Sequence, residues 1–242
     1  MNKVLKITLI AAIACAAVAL FAACVEQAPT PKASDSSSGQ VNVPQEAAAV
    51  KPLDGEASTR NFYLIVDGSG SMGEKACRGD FKNRMEAAKW AVKEFVQKVV
   101  PEDVSLGLYA FDSSGTSERV PLGRNNRDLI LIEVDKLRDG GGTPLSESLQ
   151  FAADTLYNHK TQGLGYEFYI VVVTDGKANV DKGVRAALNA EIPIITLGFC
   201  LPKGHPLADP RYSLIYRDTQ NPEQLFDALK ETQAELPEYD TR

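Results

Sequence analysis

Two kinds of hydrophobic pattern alternate along this chain from Asn61 onward. The first is a short, dense apolar run. Phe62–Val66, Val104–Phe111 (VSLGLYAF), Glu167–Val173 (EFYIVVV) and Ile192–Phe199 have this texture, which is that of strands covered on both faces. The second pattern recurs every three or four residues. Met85, Ala88, Val92, Phe95, Val96 and Val99 predict an amphipathic helix that starts near Asp80 or Asn83 and is stopped by Pro101. Asn126–Leu137 repeats it with Ile130, Val134 and Leu137 on one face, and Gly140-Gly141-Gly142 breaks it. Thr143-Pro144 then opens a third helix, Leu145–Asn158, because proline suits the first helical position. A fourth helix is expected near Val180–Asn189 and a last strand at Ser213–Arg217. Asn221-Pro222 should cap and open a final helix reaching about Glu235. Arg119–Leu122 reads as a short edge strand whose pairing Pro121 limits. Strands alternating with helices predict an α/β fold with a mainly parallel sheet.

Ahead of Asn61 the pattern differs. Lys3 and Lys6 precede an apolar stretch, Ile7–Ala23, that ends in small residues before Cys24. This is the layout of an export signal. Leu20-Phe21-Ala22-Ala23-Cys24 resembles a bacterial lipobox, in which the cysteine is lipidated and becomes the first mature residue, although Phe21 stands where leucine is usual. Cys15 is a second candidate, and a plain secretory signal or an uncleaved anchor are the alternatives. Residues 24–60 carry no aromatic side chain and are rich in Ala, Ser, Pro and Gln. Such a segment buries too little apolar area to offset its ordering entropy. It is expected to be a tether with a mean reach of about 30–35 Å. The domain would then span 61–235, with a tail at 236–242.

Composition narrows the function classes. A net charge of −6, which becomes −8 if Lys3 and Lys6 leave with the signal, argues against a nucleic-acid partner. The two histidines, His159 and His205, lie far from any serine motif. A Walker A loop and a G-x-S-x-G elbow are both missing from the sequence.

The candidate chemistry lies in Asp67-Gly68-Ser69-Gly70-Ser71-Met72. One carboxylate and two hydroxyls at alternate positions follow a strand, on a turn loosened by two glycines. Oxygen-only donors suit a hard cation. Asp175 ends a second buried strand, and Thr143 follows the triple glycine. In an open α/β sheet ligands bind beyond the carboxyl ends of strands, where strand order reverses. If the two acid-bearing strands are neighbours, both carboxylates face one crevice. Taken separately, Thr143 is equally a helix cap and Asp175-Gly176 equally a turn.

Asp67-x-Ser69-x-Ser71, then Thr143, then Thr174-Asp175-Gly176 together resemble the von Willebrand factor A domain with a metal-ion-dependent adhesion site. The resemblance implies a doubly wound, mostly parallel six-stranded sheet with one short antiparallel edge strand. It also implies that Asp67, Ser69, Ser71, Thr143 and Asp175 hold a divalent cation, usually magnesium, with calcium or manganese as alternatives. The expected function is binding rather than catalysis: an acidic residue of a protein partner completes the metal shell. A metal-dependent hydrolase, and an assembly component of an envelope complex whose metal only stabilises loops, are the rival readings. The expected location is the cell envelope, on the periplasmic face of the outer membrane in preference to the inner membrane. Export also places Cys77 and Cys200 in an oxidising compartment. Both should lie at the metal's face of the sheet, either bonded to each other or as two buried thiols.

Overall fold

A computed structural model describes residues 58–201 and 204–236. The export segment 1–23, Cys24, the tether up to residue 57 and the tail from 237 lie outside the described residues. Among the described residues no helix is long and apolar enough to cross a membrane.

The elements follow the predicted alternation: β1 Ser58–Asp67, α1 Arg84–Lys98, β2 Ser105–Asp112, β3 Gly115–Gly123, α2 Arg127–Lys136, α3 Leu145–Thr161, β4 Gly165–Thr174, α4 Asp181–Asn189, β5 Ile194–Phe199, β6 Ile215–Thr219 and α5 Pro222–Glu235. One six-stranded sheet runs in the order β3-β2-β1-β4-β5-β6. Every pairing is parallel except that of β3 with β2.

The central strand explains why it is apolar throughout. Phe62, Leu64 and Val66 join the core under α1, α2 and α5. Tyr63 and Ile65 join the opposite core under α3 and α4. Alternate residues of a strand point to opposite faces, so a strand covered on both sides keeps no polar position. Asn83 caps α1 by accepting from Glu86 N, and Asn221 caps α5 by accepting from Gln224 N. Each satisfies a backbone donor that the first helical turn leaves free.

Several boundaries move, three of them with a visible cause. β1 begins at Ser58, inside the expected tether, because Arg60 is buried between Glu167 on β4 (2.5 Å) and the carbonyl of Leu236 (3.3 Å). The edge strand β3 is nine residues long rather than four. Pro121 does not shorten it, since the β2–β3 register slips between Leu106 and Tyr109, opposite that stretch. The last strand starts two residues late, at Ile215, after Ser213 turns inward to share a 2.8 Å hydrogen bond with Thr196.

β1 pairs with β2 on one side and β4 on the other. The chain thus winds outward in both directions from the β1–β4 seam. The ligand-binding crevice of an open α/β sheet opens at the carboxyl ends of those two strands, where Asp67 and Thr174 stand.

Candidate metal centre

Three loops build the site, and backbone contacts fix two of them together. Past Asp67 the chain turns at Gly68, whose N–H donates to the carbonyl of Phe111 at 2.8 Å. A Cβ on Gly68 would lie 2.8 Å from Asp112 Cβ, so no other residue fits this approach. A single 3-10 turn, Gly70–Gly73, follows and buries Met72 as its anchor. The triple-glycine loop lies directly against it. Gly140 N–H donates to the Gly68 carbonyl at 2.9 Å, and Gly70 N–H donates to the Gly141 carbonyl at 3.2 Å. Gly140 and Gly141 have φ of 144° and 83°, values that favour glycine. Thr143 is delivered next. Pro144, expected at the first helical position, occupies the cap position of α3, and no side chain caps that helix.

The third loop closes the arrangement. Thr174 Oγ1 donates to Asp67 Oδ2 at 2.5 Å, and Ser69 N–H donates to Asp67 Oδ1 at 2.8 Å. Ser71 Oγ donates to Asp175 Oδ1 at 2.6 Å, and the Ser69 and Ser71 hydroxyls lie 3.2 Å apart. A Cβ placed on Gly176 would meet Thr143 Oγ1 at 3.2 Å and Asp67 Oδ2 at 3.4 Å. All five residues expected to hold a cation therefore converge at the end of the β1–β4 seam. Gly176 leaves room there that any side chain would fill.

Two residues of this neighbourhood were missed by sequence reasoning. His205, buried, donates from Nε2 to the Gly176 carbonyl at 3.0 Å. Its Nδ1 accepts from Leu207 N–H at 3.1 Å, which assigns the proton to Nε2. Nothing in the sequence around His205 signals this. Arg84 opens α1 and is also buried. Its Nη1 donates to Asp175 Oδ2 at 2.8 Å, Nη2 to Glu74 Oε2 at 2.8 Å, and Nε to the Ala76 carbonyl at 3.1 Å. Here there was a signal. A helix N-terminus favours acids, so a basic residue in the first turn needs some other purpose.

Electrostatics support a cation. Burial pushes the Asp67 carboxyl above its ordinary range and the charge of Asp175 adds to this, while hydrogen bonds from Ser69 and Thr174 oppose it. Burial pushes Asp175 up as well, against the pull of Ser71 and Arg84. Of these two desolvated carboxylates, Asp175 is paired with the Arg84 guanidinium, while Asp67 is held by a hydroxyl and a backbone N–H. Among the described residues no three His, Cys, Asp or Glu side chains cluster as a metal site. The donor set is instead two carboxylates and three hydroxyls, all oxygen, which fits magnesium or a similar hard ion. The residues present fit the ion that the resemblance implies.

Cys77 and Cys200 are joined in a disulfide, with Cα atoms 5.8 Å apart, that closes a loop of 123 residues. It ties the segment after the 3-10 turn to the end of β5. In that segment Arg78 is half-buried and donates to the carbonyl of Phe81, while Gly79 and Asp80 are exposed.

Residues 62–177 match the family model of the von Willebrand factor type A domain. The magnesium-chelatase 67 kDa subunit of Chlorobaculum tepidum is 30% identical over 129 residues, which are 53% of this chain and 19% of that protein. The chain thus spans about a fifth of the length of the curated relatives it matches. Pilus adhesin SpaC from Lactobacillus rhamnosus GG shares the fold with a TM-score of 0.57 and 16% identity, over 73% of this chain and 30% of that one. Proximal thread matrix protein 1 from the mussel byssus, solved with a zinc-occupied metal-ion-dependent adhesion motif, gives 0.55 and 18%, over 73% and 48%. Motif and strand order agree with the family match: residues 62–177 form a von Willebrand factor type A domain, and the solved structures share its fold.

Proposed function

We propose that this protein is an exported lipoprotein whose A domain captures an acidic side chain of a protein partner through a divalent cation, magnesium in the first instance. The convergence of Asp67, Ser69, Ser71, Thr143 and Asp175 from three loops carries the reading. A cation bound by few anionic groups supplies an electrophilic position open to an outside carboxylate. The protein's own residues do the rest. Ser69, Ser71 and Thr143 offer uncharged oxygens. Thr174 and the Ser69 amide hold Asp67, and Ser71 with Arg84 holds Asp175. A surface groove of about 850 Å³ opens beside Thr143, lined also by Thr116, Glu147, Asn179, Lys182 and Arg185. It leaves room for the chain that follows the captured residue. The domain acts by binding, because hydrolysis needs a positioned base and the hydrogen-bonded groups around the two acids are hydroxyls, an amide and a guanidinium. Lipidated Cys24 and the tether that runs from it to the start of β1 at Ser58 would hold the domain clear of the outer membrane's periplasmic face.

The test is affinity capture from native envelope with the wild-type chain. A partner retained in millimolar magnesium and released by EDTA is the expected outcome. Capture that ignores EDTA would favour an assembly role in which metal only stabilises loops, and magnesium-dependent phosphatase or esterase turnover would favour the hydrolase. Separately, Cys24→Ser should move the protein from the membrane fraction to the soluble fraction. Unchanged sedimentation would remove the lipid anchor from the proposal without touching the metal site.

A further inference from the structure

We infer that Arg84 sets the charge of the metal centre, keeping a bound divalent cation short of anionic compensation so that it retains affinity for an outside carboxylate. This rests on the function proposed above and adds to it a residue outside the ligand set. The charge balance is simple. Asp67 and Asp175 bring two negative charges, and Arg84 brings one positive charge bound to Asp175 Oδ2. With a divalent cation the group carries one net positive charge. Without Arg84 it would carry none, and a carboxylate would have little to seek.

The geometry makes this a property of the fold rather than of a mobile side chain. The Arg84 side chain is 8% exposed and the Asp175 side chain 0%. The guanidinium is engaged at Nη1, Nη2 and Nε, by Asp175, Glu74 and the Ala76 carbonyl. A rigid fork of donors is what arginine supplies and lysine does not. Its second carboxylate, Glu74, is 62% exposed, so water and salt screen that partner far more than Asp175. The positive charge therefore acts mainly on the buried side. Arg84 also heads α1, where the helix dipole gives it no support.

An alternative role for Arg84 is to orient Asp175, and the two roles predict opposite signs. Magnesium alone is the probe, titrated calorimetrically into the full chain in detergent at pH 8 and low salt. Under charge setting, Arg84→Met leaves Asp175 wholly to the cation and tightens magnesium binding about tenfold. Arg84→Lys restores most of the wild-type affinity because it restores the charge. Glu74→Gln removes an exposed acid that offsets Arg84, and weakens magnesium two- to threefold. Under orientation, Arg84→Met weakens binding and Arg84→Lys does not rescue it; either that result or no change overturns the proposal. If Arg84→Met shows no cooperative unfolding transition, Glu74→Gln decides, and unchanged or tighter binding there overturns it. Wild-type protein that takes up no magnesium removes both readings. Wild-type binding with indistinguishable variants removes only this one.

Discussion

Asp67→Asn is expected to abolish the response to magnesium while leaving a folded, and in the absence of metal more heat-resistant, protein. Asp67 is fully buried, and its raised pKa means that the folded state disfavours the ionised carboxylate. Asparagine keeps the shape. Its carbonyl can still accept from Ser69 N–H, and its amide can donate to Thr174 Oγ1 in place of the hydrogen bond that runs the other way in the wild type. The charge penalty is lifted and the hydrogen bonds survive, so stability without metal should rise. In the wild type, magnesium at about 100 times its Kd stabilises by about 2.7 kcal/mol. For a domain of this size that corresponds to a rise in Tm of about 5–10 °C. Thermal scans of both proteins with and without magnesium should therefore cross, with the variant ahead in EDTA and the wild type ahead in magnesium. A magnesium shift that persists in the variant would show that the ion binds elsewhere.

The second large effect is expected from the disulfide. Replacing Cys77 and Cys200 together by serine reopens a loop of 123 residues. In the chain-entropy treatment the cross-link is worth about 5 kcal/mol, or a fall in Tm of about 10–20 °C at the same scale. Backbone conformation offsets part of this. Both residues sit at left-handed φ, 59° and 58°, a region that non-glycine side chains occupy at a cost. Once the bond is gone, nothing holds Cys77 there except its neighbours in the loop. Magnesium binding should survive, because Gly140 and Gly141 hold the Asp67–Ser71 loop from the other side through backbone hydrogen bonds. Urea unfolding of the serine variant with and without magnesium separates the two contributions. A midpoint that matches the wild type would show that the bond adds no stability.

Much of this protein can be read from residue order because its features are local. A strand with no polar position must be covered on both faces, and Phe62–Val66 declares this without any coordinates. Asn221-Pro222 carries its own helix start, and Gly140-Gly141-Gly142 its own break. The run Asp67-x-Ser69-x-Ser71 announces a set of oxygen donors in five residues. The ends of β1 and β3 were less legible, since Arg60 is strand-like only because Glu167 and the Leu236 carbonyl wait for it, more than a hundred residues away in the chain.

Sequence alone determined which residues carry oxygen, which segments must be buried and where helices can begin, because these follow from the chemistry of side chains and their spacing. Tertiary structure decided that Asp67 and Asp175 share one crevice, that Gly176 leaves it open beside Thr143, and that Arg84 is the cation paired with the buried acid. The reason is distance along the chain. Desolvation and charge pairing act between groups 91 to 107 residues apart here, and no local pattern records which of them will meet.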